Sequence, residues 1–576
     1  DAHSGSDCDD TKSTVNPGET ETWYDGVDQD CDGADDYDQD GDGYYCNTGL
    51  TGSACNGMGY SFTCAAGSGP SLGCDCNDED TDIHPGVIYD WYTDTDGDSV
   101  DDVDSNCLSP STSGYGDYPI SGVTEATINA PAGSTGDDLV FSLASNGDIN
   151  GDGTQDLLLG GWDLSSTYSG EGGVYLEYAT ASGTVTPSVS SVLLSGREAD
   201  GYVGTSLAML GDLDGDDYDD LLIGAPGEDT TYTDAGRAYL VLGDNSVTSK
   251  ALHLQASLTI EGTQTGEEFG EVVANIGDVD GDGVNDFAIG APGYGSGSTS
   301  NIGRVYVFDG TISPSTIPVV ASSVATNTID GASSGDQLGH LVVGGGDIDG
   351  DGYDDFLVGS PYIDDTSTST ADVGGFYIVD GSTALTGGLT KYLFIDDSAG
   401  DYAGAAAVIV PSINGDGRDE IVVGAPGTDG SSGGEGATYL IFGDNIGSMA
   451  GIPDIETLAV SGIEGWSGDH ALGTSLAVAD VNGDTYADVL VGIPGYDDFT
   501  GSGDEGGVMV FDGSSITTSA FASDYILFHG SSASAHVGTA LIGLPSYDGT
   551  SYDSWLVATD DASGAITNYG FLILGE

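Results

Sequence analysis

Residues 278–292 read Asp278-Val-Asp-Gly-Asp-Gly-Val-Asn-Asp-Phe-Ala-Ile-Gly-Ala-Pro292, an aspartate-rich loop that runs straight into a short apolar stretch. Carboxylates at loop positions 1, 3, 5 and 9, with a main-chain carbonyl at 7, can converge on one hard cation, and the glycines permit the turn. An all-oxygen donor set without His or Cys points to calcium. An EF-hand opens in the same way but requires a bidentate Glu at position 12, where this stretch has Ile289 inside the apolar run. Four or five β-branched, aliphatic or aromatic residues bounded by Gly and Pro make a buried strand and are too short for a helix.

The phrase recurs along the chain. Loops begin at Asp148, Asp212, Asp278, Asp347, Ser412, Asp480 and, in decayed form, Ser546, spaced by 64, 66, 69, 65, 68 and 66 residues. Five carry a full ligand set: Asp148, Asn150, Asp152 and Asp156; Asp212, Asp214, Asp216 and Asp220; Asp278, Asp280, Asp282 and Asp286; Asp347, Asp349, Asp351 and Asp355; Asp480, Asn482, Asp484 and Asp488. Position 12 of the other four is Leu159, Ile223, Val358 and Val491, again within the apolar run. The fifth repeat, with Ser412, Asn414, Asp416 and Glu420, is expected to bind weakly if at all, and the seventh, with only Asp548, to be empty. One Asp-Gly stretch alone would be a solvated turn. Five in register at one period are not explained that way.

After each loop comes an apolar run, such as Asp156-Leu-Leu-Leu-Gly, Asp220-Leu-Leu-Ile-Gly and Glu420-Ile-Val-Val-Gly, and then a third run such as Arg237-Ala-Tyr-Leu-Val or Arg304-Val-Tyr-Val-Phe. Seven units of about four short strands cannot bury their own faces and must stack radially. The expected fold is all-β, a seven-bladed β-propeller over 117–576; a linear β-solenoid would prefer much shorter repeats. The last repeat ends just after its third strand, so residues 117–130 are expected to supply the outer strand of blade seven and close the ring.

Residues 1–116 are expected to form a separate, small, disulfide-rich, calcium-binding and loop-rich module. All 8 Cys lie between Cys8 and Cys107, a clustered even count that reads as disulfides in an oxidising setting, with ~105 pairings open; zinc would want closely repeated Cys or His with few competing carboxylates. The module repeats internally. Asp7-Cys8-Asp9-Asp10 followed by Asn16-Pro17-Gly18 matches Asp75-Cys76-Asn77-Asp78 followed by His84-Pro85-Gly86. Each half precedes an acid loop: Asp28, Asp30, Asp32 and Asp36 with the overlapping Asp38, Asp40 and Asp42, then Asp94, Asp96, Asp98 and Asp102.

The chain carries 96 acidic against 7 basic residues, a formal charge of -89, which repels nucleic-acid phosphates and anionic headgroups. With 38% hydrophobic residues in regular runs it is not an acidic disordered tail. Five divalent ions would offset about 10 of those charges, so the remainder is read as surface hydration in a saline habitat. No apolar run approaches the ~20 residues of a membrane span, and a start at Asp1 is expected of an exported protein after signal-peptide removal.

The loops followed by Gly224-Ala225-Pro226, Gly290-Ala291-Pro292 and Gly424-Ala425-Pro426, with Phe269-Gly270 ahead of the third loop, resemble the FG-GAP repeats of integrin α-subunits and of many bacterial and archaeal surface proteins. The resemblance spans about 117–576 and implies that calcium loops line one face of the propeller and stiffen its blades. The N-terminal module resembles the Asp/Cys metal-binding repeat of MopE-type surface proteins and, more loosely, thrombospondin type 3 repeats. Neither resemblance supplies a partner.

No nucleophile with its base, HExxH pair or phosphate loop is present, so no catalytic residue is assigned. The seven His are scattered, and His470 and His536, before strand starts, read as packing or turn residues. The expected role is a secreted, extracellular or cell-surface, calcium-binding propeller acting in adhesion or as a structural component of a surface layer, matrix or filament. Its partner would be an extracellular protein or glycan, or copies of itself joined by strand donation. The alternatives are a carbohydrate-binding lectin, for which Trp162 and Trp466 are the candidate stacking residues, and a calcium-dependent polysaccharide lyase.

Overall fold

A computed structural model of the chain describes residues 117–119, 126–129 and, with interruptions in connecting loops, 142–573. The cysteines, the N-terminal acid loops at 28–42 and 94–102, Trp466 and the start of the seventh loop lie outside the described residues.

Among the described residues the strands form seven sheets. The second repeat shows the pattern: Leu207–Gly211, Asp220–Ala225, Arg237–Val241 and Leu258–Glu261 pair antiparallel in chain order. Each second strand starts on the ninth loop residue, as at Asp156–Gly161, Asp286–Ala291, Asp355–Gly359, Glu420–Ala425, Asp488–Ile493 and Ser554–Ala558. Among the described residues helix is confined to single turns such as Ala321–Val324, and none is long and apolar enough to cross a membrane.

Burial explains why the second strands read as unbroken apolar runs rather than alternating ones. Leu221 and Ile223 face the first sheet and pack with Leu158, Val174 and Leu176. Leu222, between them, faces the third sheet and packs with Phe287, Ile289 and Tyr306. The same division puts Ala288 against Phe356 and Val358, Leu357 against Ile421 and Val423, and Val422 against Val489 and Val491. Every face of these strands is therefore interior, each large side chain contributing about 1.5–3 kcal/mol of burial. One polar replacement, such as Leu222→Asp, would break the contact between two sheets.

The innermost strands pack neighbour to neighbour from Ser142–Gly147 round to Leu541–Leu544, which returns against Ser142–Gly147. The seven sheets thus close on themselves as an all-β propeller, and Ser145 Oγ donates to the Gly543 carbonyl across the closing junction at 3.0 Å. The last sheet is completed from upstream: Ala126–Asn129 pairs antiparallel with Asn568–Ile573, Thr127 opposite Phe571. Asp117–Pro119 does not join it but lies on the outer edge of the sheet of Ile526–His529. Short parallel strands at Lys250–Ala251 and Val319–Val320 cap the outer edges of the first two sheets in the same manner.

Adjacent sheets approach so closely that side chains are excluded at the junction. Gly303 bridges to Leu338 with φ +79°, and a Cβ there would stand 2.1 Å from the Leu338 nitrogen. Just before several loops the innermost strand slips register, at Met209/Gly211, Asn275/Gly277 and Gly344/Gly346. Such a bulge bends the strand end and aims the loop that follows.

Candidate metal centres

The loops of the second, third and fourth repeats each bring three carboxylates together. Asp212, Asp214 and Asp216 present oxygens within 4.8 Å of one another, as do Asp278, Asp280 and Asp282, and Asp347, Asp349 and Asp351. The first carboxylate anchors the turn. Asp278 Oδ1 accepts the N–H groups of Gly281 and Asp282 at 2.7 and 3.0 Å, and its Oδ2 that of Gly283 at 2.9 Å. Asp212 and Asp347 are bonded alike. The fifth-position carboxylate then accepts the N–H of position 7, as Asp351 does from Tyr353 at 3.0 Å.

The ninth residue is placed differently from the other three. Asp286 is buried, its Oδ2 accepts the Val279 N–H at 3.0 Å, and its Oδ1 accepts that of Gly310, just past the third strand, at 2.8 Å. Asp220, Asp355 and Asp488 repeat this with Leu213 and Gly243, Ile348 and Gly381, and Val481 and Gly513. The ninth carboxylate thus braces the loop against the sheet, leaving its remaining lone pairs for an ion.

The other loops keep the wrapped geometry with fewer charges. In the first, Asp148 accepts from Asp152 and Gly153, but the Asn150 amide NH₂ faces Asp156 at 3.3 Å and so presents a donor. In the sixth, Asp480 accepts from Asp484 and Thr485, and Asn482 Oδ1 accepts from Asp484. In the fifth, Ser412 Oγ replaces the first carboxylate as acceptor for Gly417 at 3.1 Å, and Glu420 braces Ile413 at 2.9 Å.

Electrostatics favour a cation at the trios. Burial, then Asp216 and Asp212, push the Asp214 carboxyl up, and burial followed by Asp282 does the same to Asp280. Burial drives Asp220, Asp286 and Asp355 up to about 7 against the pull of their N–H donors, with neighbouring carboxylates adding to the rise. Asp212 runs the other way: burial opposes it, but four loop N–H donors hold it below its usual value. Among the described residues no Lys or Arg forms an ion pair with a trio; Arg197, Arg237 and Arg304 pair with Glu198, Glu228, Glu261 and Asp330 instead. Crowded, hard oxygen donors that no Lys or Arg pairs with fit a divalent ion.

Two sets of residues escaped sequence reasoning. Asp309 and Asp380, at the ends of third strands, lie near enough to raise Asp280 and Asp349, and Asp512 acts likewise on Asp488. Their signal was an Asp-Gly pair closing the third run, as in Phe308-Asp309-Gly310. The second set, at loop position 8, reaches the preceding repeat: Asp219 Oδ2 accepts the Asp148 N–H at 2.7 Å, across 71 residues of chain. Elsewhere Trp162 packs edge to face on Tyr202 at 5.4 Å, His470 is buried beside Tyr496, and His536 occupies a left-handed turn at φ 45°.

The fold and its loops define a β-propeller with carboxylate clusters suited to a divalent cation between the first and second strands of three of its sheets. Four stretches, residues 203–241, 269–308, 413–441 and 472–511, match the FG-GAP repeat, and the MopE-type metal-binding motif is matched at 7–37 and 75–88. The chain is 32% identical to integrin alpha-5 of Xenopus laevis over 239 residues, 40% of this chain and 20% of that protein. It is 30% identical to integrin alpha-V of Gallus gallus over 244 residues, covering 40% and 21%, and 35% identical to integrin alpha-PS2 of Drosophila melanogaster over 182 residues, covering 29% and 12%. The chain therefore spans about a fifth or less of the length of these relatives. Among solved structures, BBS1N in complex with ARL6DN, soaked with lead, aligns at a TM-score of 0.39 and 10% identity over 80% of this chain and 98% of that one, too distant to bear on function.

Proposed function

We propose that this protein is an extracellular, calcium-stabilised propeller that acts in adhesion or as a structural element of a cell surface, binding rather than catalysing. The observation that carries the reading is the in-register repetition of three convergent carboxylate trios on integrin-like repeats. Calcium suits them better than magnesium: the donors sit on a glycine-bearing turn with irregular spacing, and calcium accepts six to eight oxygens where magnesium demands an octahedron. The ions would fasten the ends of the second strands to the loops ahead of them. The five full sets, from Asp148 to Asp488, are the assigned sites.

The partner proposed is an extracellular protein or glycan. Self-assembly by strand donation is the lesser reading, because Ala126–Asn129, the strand that could be given away, pairs with Asn568–Ile573 of its own chain. The lectin alternative is weakened by the packing of Trp162 on Tyr202, which engages a ring that would otherwise be offered to a sugar.

Calorimetric titration of the metal-free protein tests the reading. Calcium is expected to bind at several equivalents and to raise the melting temperature well above the value in equimolar magnesium. Equal stabilisation by magnesium, or none by calcium, would remove the assignment. Turnover of uronic-acid polymers would remove the non-enzymatic one.

A further inference from the structure

Positions 7 and 8 of a loop do not serve that loop alone. Asp219, Asp354, Asp419 and Asp553 each stand at position 8, and each turns Oδ2 to the backbone N–H of position 1 in the preceding loop. The acceptor distances are 2.7 Å to Asp148, 2.9 Å to Asp278, 3.0 Å to Asp347 and 2.9 Å to Asp480. The main chain answers in kind: the N–H of each of these residues donates to the carbonyl of the same partner, at 3.0, 3.4, 3.0 and 2.7 Å. The residue ahead of each covers the glycine at position 4 of that preceding loop. A Cβ on Gly151 would meet Tyr218 at 2.7 Å, on Gly281 Tyr353 at 2.9 Å, on Gly350 Arg418 at 3.1 Å, and on Gly483 Tyr552 at 2.5 Å.

Two other junctions, those behind loops two and five, lack both features together. Position 8 is Asn285 after the second loop, where its amide donates to the Leu210 carbonyl at 3.0 Å instead, and Ala487 after the fifth. At these two loops the corresponding glycines, Gly215 and Gly415, have nothing within 4 Å of a built Cβ. Hydrogen bonding and packing therefore mark the same four junctions. The seventh repeat sharpens the point: it has lost most loop carboxylates, reading Ser546, Thr550 and Ser554 at positions 1, 5 and 9, yet it retains Tyr552 and Asp553 aimed at the sixth loop.

We propose that the pair at positions 7 and 8 is the positioning element for the cation site of the preceding repeat, so that loops one, three, four and six are clasped and loop two is not. The inference rests on the calcium reading above. Its mechanism is local. The clasp fixes the peptide of the first ligand residue on both sides, so that residue's carboxylate is already oriented when an ion arrives. Repeats five and seven, poor in ligands of their own, then act as supports for loops four and six.

Asp553 gives the cleanest test, because a calcium equivalent lost on its replacement cannot come from its own ligand-poor loop. Calcium is titrated into the full metal-free chain against a competing chelator dye, for wild type, Asp553→Ala and Asp553→Asn. Asp553→Ala is expected to weaken one equivalent by about tenfold or more, as removal of groups that orient metal ligands does. Asp553→Asn keeps an acceptor oxygen for the Asp480 N–H and is expected to stay within about threefold of wild type. Tyr552→Ala, which leaves Asp553 in place, should also weaken the same equivalent, and calcium-free melting reports whether each variant is folded. Wild-type behaviour of Asp553→Ala, or an equal loss in Asp553→Asn, would overturn the inference and leave the calcium reading intact. A wild type that takes up no calcium would overturn both.

Discussion

Glu271 offers a charge to remove that lies outside the cation loops. It stands at the entry to the innermost strand of the third sheet, directly after Phe269-Gly270, and is mostly buried; burial, and then the nearby Glu268, push its carboxyl from 4.5 up to about 7. Glu268 is itself raised, by burial and then by Asp234. A folded-state value above the unfolded one means that the folded chain holds the proton more tightly. The stability this confers is full below pH 4.5, drains away as the pH climbs through about 7, and is gone above it. At about 1.36 kcal/mol per pH unit the gap is worth roughly 3 kcal/mol at most. Glu271→Gln, which cannot ionise, should therefore match the wild type near pH 4.5 and exceed it by up to ~3 kcal/mol at pH 8. For a unit of residues 118–575 that is about 3 °C in melting temperature. Scanning calorimetry at pH 4.5, 6 and 8, with calcium in constant excess, reads the difference. A gap between variant and wild type that does not grow with pH would refute the reasoning.

Trp555 is fully buried in the second strand of the last sheet, edge to face with Phe528 of the sheet before at 5.3 Å; Trp555→Ala should cost about 3–5 kcal/mol and lower the calorimetric melting point by a few degrees. Deleting residues 117–130 removes the four-residue pairing onto Asn568–Ile573, worth roughly 2–6 kcal/mol at ~0.5–1.5 kcal/mol per hydrogen bond, and bares a strand edge; unchanged melting would count against closure of the ring by that strand.

The elements legible in the sequence were those whose cause lies within one repeat. The second strands begin where the apolar runs do, because Leu221, Leu222 and Ile223 need partners on both faces and a short uninterrupted run is the only pattern that says so. The trio at positions 1, 3 and 5 was legible for the same reason: its geometry is set by the turn that carries it. The ninth residue was only half legible. A carboxylate there reads as a ligand, and nothing local shows that Gly243 or Gly310, about two dozen residues downstream, claims one of its oxygens. Position 8 was illegible, since Asp, Asn, Gln and Ala succeed one another there and the partner of each Asp lies 71 to 76 residues back. Strands as short as Lys250–Ala251, defined only by the edge they cover, leave no pattern to read.

These placements alter the account of the chain's acidity. Divalent ions and surface hydration were the two roles open to 96 acidic side chains, but the structure adds a third, as buried acceptors at the joints between strands and sheets. Glu228 takes the Tyr239 hydroxyl and the Arg237 guanidinium; Glu267 takes the Tyr306 hydroxyl together with the N–H and hydroxyl of Thr263; Asp336 takes the N–H groups of Ala332 and Ser333. With only 7 basic residues in the chain, most buried carboxylates must be satisfied by N–H and O–H donors, which a propeller with frequent tight turns supplies in quantity. A cation site of the kind proposed is then one specialised use of an arrangement that recurs among the described residues, a carboxylate wrapped in main-chain donors, and the step from brace to ligand requires only that three such groups meet without a donor between them.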